Sequence, residues 1–241
     1  MLAIQHQLDA GPGVFATATA AHGDSLEEWH PAVQPEPPRT DHDAVMVFGG
    51  AANAHQEDRH PWLAREKALL SELAEAGVPL LGVCLGAQLL AEAAGGAVRR
   101  ASEPEIGWRE VAMEPAASVD PLLGALPDRL HSFQWHSYEA VPPPGATVLA
   151  RSAVCPQAYR LDGRPAWGIQ FHAEVTLEGA EAWIDDYRSD PDAAAIDPAA
   201  FADETRRAIA GWNEIGQMLC ERFLELAAAR PTAGVQSAGS G

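Results

Sequence analysis

Two continuous apolar runs, DAVMVFGG (Asp43–Gly50) and VPLLGVC (Val78–Cys84), constrain the fold of this chain more than any other feature. Neither alternates apolar with polar residues, so neither suits a sheet with one wet face. Both suit strands of a parallel sheet covered on both sides. Between them, PWLAREKALLSELAEAG (Pro61–Gly77) has a proline in its first turn, apolar residues at helical spacing and a closing glycine, which predicts a helix. GAQLLAEAAGG follows the second run and predicts another. Strand, helix, strand, helix in this order predicts an α/β fold: a three-layer, mostly parallel sheet with helices on both faces.

The flanks add to this frame. LAIQHQ is a short apolar segment before the turn DAGPG, and VFATATAAHG reads as a helix ending at Gly23. The second half changes character. EIGWREVAME alternates like an antiparallel strand, and FQWHSYEAV, TVLARS, PQAYRLD and PAWGIQFHAEV follow as short strands with turns between them. Beyond Thr176 the pattern is helical, in LEGAEAWIDDYRS and then from DPAAFADE to ELAAAR. The expectation is one domain over 1–230, with an antiparallel extension and a C-terminal helical cap over 178–230, and a flexible tail over 231–241.

Composition excludes several function classes. The chain has 241 residues, 47% of them apolar, enough to bury a sizeable core. Its formal net charge of −18 repels phosphate backbones, which argues against a nucleic-acid partner. No apolar stretch reaches the length of a membrane span, and the start MLAIQHQLDAGPG lacks the basic and long apolar regions of a signal peptide. A cytoplasmic protein with no membrane partner is the expectation. Three cysteines do not make a disulfide framework, so reduced thiols are expected.

One thiol stands apart. Cys84 lies between Gly82 and Gly86, after an apolar strand and before a helix. A nucleophile at such a sharp turn is exposed to substrate, and the helix N-terminus behind it favours a thiolate. The competing reading is a buried structural thiol, the commoner use of a lone cysteine. Cys155, before a proline, and Cys220, at an apolar helical position, read as structural. A nucleophilic thiol needs a base, and the base an orienting group. GIQFHAEV supplies His172 and Glu174, placed where the last strand gives out, with Glu174 turned to hold the imidazole. Gly49-Gly50 ends a buried strand and can free N–H groups for an oxyanion, as can the N–H of Leu85. The other histidines show no metal-ligand spacing and read as solvated or capping residues, save His136, whose strand leads toward the site.

Together these residues resemble the class I glutamine amidotransferases. Gly82, Cys84, Gly86 and Gln88 match the family's G-x-C-x-G-x-Q. Gln170-Phe171-His172-Ala173-Glu174 matches its Q-F-H-P-E with alanine for proline, and Gly49-Gly50 matches its glycine loop. EIGWREV and FQWHSYEAV look like stand-alone members similar to the amidotransferase part of GMP synthase. The resemblance implies a flavodoxin-like fold and a Cys84–His172–Glu174 triad. It implies oxyanion donors at Gly50 and Leu85, and substrate contacts at Gly49, Gln88 and the Trp135-His136-Ser137-Tyr138 segment. It implies glutamine hydrolysis through a cysteine thioester, with no metal and no cofactor. Family members usually feed ammonia to a synthetase domain, and this chain has no P-loop or second α/β unit, so a separate acceptor subunit or independent action follows. Two further readings stay open: a γ-glutamyl peptidase or amide hydrolase using the same three groups, and a non-catalytic binding module.

Overall fold

The two apolar runs lie side by side as parallel strands, β3 (Val45–Val47) and β4 (Leu80–Val83), with Val45 opposite Leu80 and Val47 opposite Gly82. The computed structural model describes residues 1–37, 41–186 and 190–229; the tail expected over 231–241 lies outside the described residues. Outward from β3, β1 (Leu2–Ile4) and β2 (Glu27–Trp29) also pair in parallel. On the other side β4 pairs in parallel with β9 (Ala166–Ile169). Beyond β9 the same sheet continues antiparallel through β8 (Pro156–Leu161), β7 (Ala146–Arg151), β5 (Ala97–Met113) and β6 (Arg129–Val141). Four parallel pairings are thus followed by four antiparallel ones, and the expected antiparallel extension runs edge to edge from the parallel half.

Two strands exceed the sequence expectation. β1 falls in the short segment LAIQHQ. β2 reads Glu-Glu-Trp and has no apolar run, because it is the edge strand and only Trp29 reaches the core.

Among the described residues five α-helices cover the sheet: α1 (Gly13–His22), α2 (Trp62–Glu75), α3 (Leu85–Ala93), α4 (Leu177–Asp186) and α5 (Pro198–Ala228). Side chains alternate across each parallel strand, so one strand feeds two cores. Leu2, Ile4, Val45, Val47 and Leu80 pack with α2 and α3, whereas Ala3, Met46, Leu81 and Val83 pack with α1, α4 and α5. This is why the strands are apolar at every position. The C-terminal helices close the second core: Trp183, Phe201, Trp212 and Phe223 are all buried there. Asp197 starts α5 by accepting from the N–H groups of Ala199 and Ala200. Among the described residues no helix is long and apolar enough to cross a membrane.

The first turn of α3 touches the sheet backbone to backbone. A Cβ on Gly82 would sit 2.5 Å from the Gly86 carbonyl oxygen, and one on Gly86 would overlap the carbonyl of Val47. Gly211, on the exposed face of α5, has open space around it. Gly86→Ala should therefore destabilise by at least ~2 kcal/mol, whereas Gly211→Ala should stabilise by about 0.5–1 kcal/mol, both read from denaturant unfolding. Equal effects at the two positions would contradict this packing.

Candidate active site

Adjacency of β4 and β9 brings distant parts of the chain together at the carboxyl ends of parallel strands, where open α/β sheets bind ligands. β4 ends in Cys84, which caps α3 with φ 52° and ψ −108°. Among the described residues it is the one non-glycine with positive φ. Such a conformation costs of order 1–3 kcal/mol and persists only where the surroundings enforce it. Here its N–H donates to the Ile169 carbonyl at 2.8 Å and its C=O accepts from the Gln88 N–H at 3.1 Å. The flanking glycines make room for the helix, and the cysteine itself takes the sharp turn.

β9 ends at Ile169, and the chain leaves the sheet before His172 and Glu174. Glu174 Oε1 lies 2.7 Å from His172 Nδ1, and both side chains are buried. The loop is held from outside. The His172 N–H donates to the Phe133 carbonyl. The His172 carbonyl accepts from Trp212 Nε1 at 2.8 Å, the Glu174 carbonyl from the Val14 N–H at 2.8 Å, and the Val175 carbonyl from Asn213 Nδ2 at 2.7 Å. Gly216 of α5 packs on the Ala173 carbonyl so closely that any Cβ there would overlap it. Burial by itself would lower the His172 pKa; the Glu174 carboxylate and then Cys84 outweigh it and hold the imidazole up at about 10.

A cleft of about 290 Å³ opens over these groups, near the lower end for small-molecule sites. Of the residues expected to meet substrate, Gly50, Leu85, Gln88, Trp135, His136, Ser137 and Tyr138 line it together with Cys84 and His172. Gly49 backs it: a Cβ there would lie 3.0 Å from His172 Cε1 and 3.7 Å from Cys84 Cβ. Glu174 sits behind His172. Gln88 Nε2 donates to the Tyr138 carbonyl at 2.9 Å, tying α3 to β6. His136 Nδ1 donates to the same carbonyl at 3.1 Å.

Behind His136 lies the one group among the described residues with a metal-like donor set, Glu105, His136 and Cys155, whose ligand atoms are within 4.8 Å of one another. Glu105 Oε2 already accepts from Gln157 Nε2 at 2.7 Å, Ser152 Oγ at 3.0 Å and Cys155 Sγ at 3.3 Å, with His136 Nε2 3.4 Å away, so this oxygen is engaged by protein donors. Burial would raise the Glu105 pKa, but His136 and these donors bring it below the usual range. Burial and then Glu105 push the Cys155 thiol up, and burial pushes Cys220 to about 12. Both thiols stay protonated at neutral pH, in line with a structural role.

Sequence reasoning missed several site residues. Trp183 of α4 stands edge-on to His172, ring centroids 4.8 Å apart, and Trp212 holds its carbonyl. A tryptophan at helical spacing signals only core, and the contact depends on where the helix docks. Arg100, beside a register shift in β5, reaches Asp192 at 2.6 Å across the rim. The expectation of solvated histidines fails at His6 and His42, both inward-facing; His6 is paired with Glu66 of α2.

A histidine held at about 10 when folded and near 6.5 when unfolded gives stability that is complete below pH ~6.5 and is lost as pH rises through 10. Melting temperatures between about pH 6 and 10 should fall more steeply for the native chain than for Glu174→Gln, which lacks the carboxylate. Parallel curves would show that the pair is not what holds the proton.

Known proteins resemble this chain in sequence and in fold. The model of the family "glutamine amidotransferase class-I" matches residues 23–186. A glutamine amidotransferase-like protein of Salmonella typhimurium is 33% identical over 152 residues, 61% of this chain and 64% of that protein. One of the subunits of the glutamine-hydrolysing GMP synthase of Thermococcus kodakarensis is 37% identical over 120 residues, 48% of this chain and 62% of that protein. The chain thus spans just under two thirds of the length of these curated relatives. A solved glutamine amidotransferase of Thermotoga maritima superposes with a TM-score of 0.83 at 28% identity, covering 95% of this chain and 97% of that one. Another, from Methylobacillus flagellatus, gives 0.81 at 29% identity, with 93% and 94% covered. With more than half of its length matched by the family model, this chain belongs to the class I glutamine amidotransferase family.

Proposed function

We propose that this chain hydrolyses the side-chain amide of glutamine, releasing ammonia and glutamate, with Cys84 as nucleophile, His172 as acid and base, and Glu174 as orienting group. The observation that carries the reading is the strained Cys84 backbone at the cleft, facing a buried His172 whose far nitrogen is 2.7 Å from Glu174. The Cys84 thiolate attacks the carboxamide carbon, and the N–H groups of Gly50 and Leu85 receive the oxyanion. Protonated His172 gives its proton to the departing nitrogen, and ammonia leaves a γ-glutamyl thioester. Neutral His172 then takes a proton from water, the hydroxide attacks the thioester, and glutamate departs as the thiolate returns. Gln88 and the Trp135–Tyr138 strand hold the amino-acid end of the substrate. All three cysteines are free, as a reducing, cytoplasmic setting would keep them. The relative in Thermococcus kodakarensis is by name one subunit of a larger enzyme, and on that likeness the ammonia passes to a separate acceptor subunit.

One observation favours a second reading, cleavage of γ-glutamyl amides with bulkier amines. Trp135 and Trp183 both line the cleft, their rings 5.8 Å apart and edge to face. That apolar wall suits a larger leaving group. Cys84→Ala should lower amide release by at least ~10³-fold with the fold intact by circular dichroism, and a glutamine-like diazo-ketone should label Cys84 and neither other cysteine. Ammonia release from glutamine, compared with amine release from γ-glutamyl dipeptides, separates the two readings. Inertness toward both, with an unlabelled Cys84, would leave the binding module.

A further inference from the structure

Two residues beyond β1, His6 lies beneath the Gly49-Gly50 turn with its side chain 1% exposed. The four atoms its ring nitrogens meet are all acceptors. Nδ1 is 3.0 Å from the Phe48 carbonyl oxygen and 3.2 Å from that of Gly49. Nε2 is 3.0 and 2.9 Å from the two oxygens of Glu66, itself fully buried. A neutral imidazole has one N–H and would turn a lone pair toward one of these sides. The imidazolium donates to both. Burial disfavours that charge, but Glu66 and the two carbonyls prevail and raise the pKa. Trp62 stacks on the ring at 5.0 Å and fixes its plane.

The consequence falls on the next peptide. The described residues contain no cis peptide bond, so the Gly49 C=O and the Gly50 N–H point in opposite directions from one plane. With the carbonyl turned onto His6, the N–H is turned away from it, and Gly50 lines the cleft beside Cys84. Space closes the same arrangement: a Cβ on Gly50 would lie 2.7 Å from His6 Cβ. We propose that the buried His6–Glu66 pair positions the oxyanion site, holding the Gly49 carbonyl so that the Gly50 N–H faces the carbonyl under attack at Cys84. The proposal rests on the reading of Cys84 as the nucleophile of an amide hydrolase. The run from Glu66 through His6 to the Gly49–Gly50 peptide polarises in one direction, which makes its terminal N–H a stronger donor than an isolated amide. His6 is a positioning residue, since it reaches the reaction only through this peptide.

Two near-isosteric substitutions test it. The side-chain nitrogen of asparagine overlays Nδ1 of histidine, and that of glutamine overlays Nε2. His6→Asn keeps a donor for the two carbonyls and gives up Glu66; His6→Gln does the reverse. For His6→Gln, kcat for the better of the two amide substrates should fall roughly 10²-fold, the usual effect of losing one oxyanion donor, with KM unchanged. His6→Asn should retain at least tenfold more of it. Alkylation of Cys84 by iodoacetamide passes through no oxyanion and should proceed at native rates in both. Equal kcat values for the two variants, or a loss in kcat matched by a loss in alkylation, would overturn the proposal. Should neither variant fold, Glu66→Gln decides: a fall in kcat of at least fivefold at native KM supports it, and native kcat overturns it. A native chain that hydrolyses no γ-amide removes the functional reading and this proposal with it, whereas an active native chain with indifferent His6 variants removes this proposal alone.

Discussion

The backbone of α3 rests directly on the backbones of β3 and β4, and the geometry of the cleft is arranged around that contact. No side chain fits between them at Gly82 or Gly86. The chain must therefore reverse from strand to helix within a single residue, and Cys84 takes the unfavourable φ of 52°. The strain is held by ordinary forces, the hydrogen bonds of the Cys84 peptide to Ile169 and Gln88 and the two apolar cores on either side of the strands. The result is a thiol raised at the end of a strand, directly before a helix N-terminus.

The loop carrying His172 and Glu174 is rigid for a different reason. It lies outside the sheet and has alanine at 173 where the family has proline, so its backbone is not stiffened by a ring. Contacts from α1, α5 and β6 do that work instead, covering successive peptide groups from His172 to Val175. The C-terminal helices thereby become part of the site: they close a core and set the backbone from which the imidazole projects. The two elements meet because β9, late in the sequence, inserts beside β4 in the middle of the sheet.

Much of this was legible in the residues. Continuous apolar runs identified β3 and β4, because strands covered on both faces must be apolar at every position. The helices α2 and α3 followed from periodicity and glycine stops. The glycine-flanked Cys84 and the His172–Glu174 spacing pointed to one cleft. Other features left no such trace. β2 is too short and polar to signal a strand, Trp183 and Trp212 look like any core tryptophan, and His6 looks like a solvated residue near the end of a short apolar segment although it is buried on Glu66.

By itself the sequence determined what depends on near neighbours: which apolar runs extend as buried strands, which segments coil, and which cysteine stands at a strand-to-helix turn. Those follow from sterics and periodicity within a few residues. The order of strands, the docking of α4 and α5 against the His172 loop, and the four acceptors around His6 were decided only by tertiary structure. They join residues far apart in the chain, through burial and hydrogen bonds that no local pattern encodes.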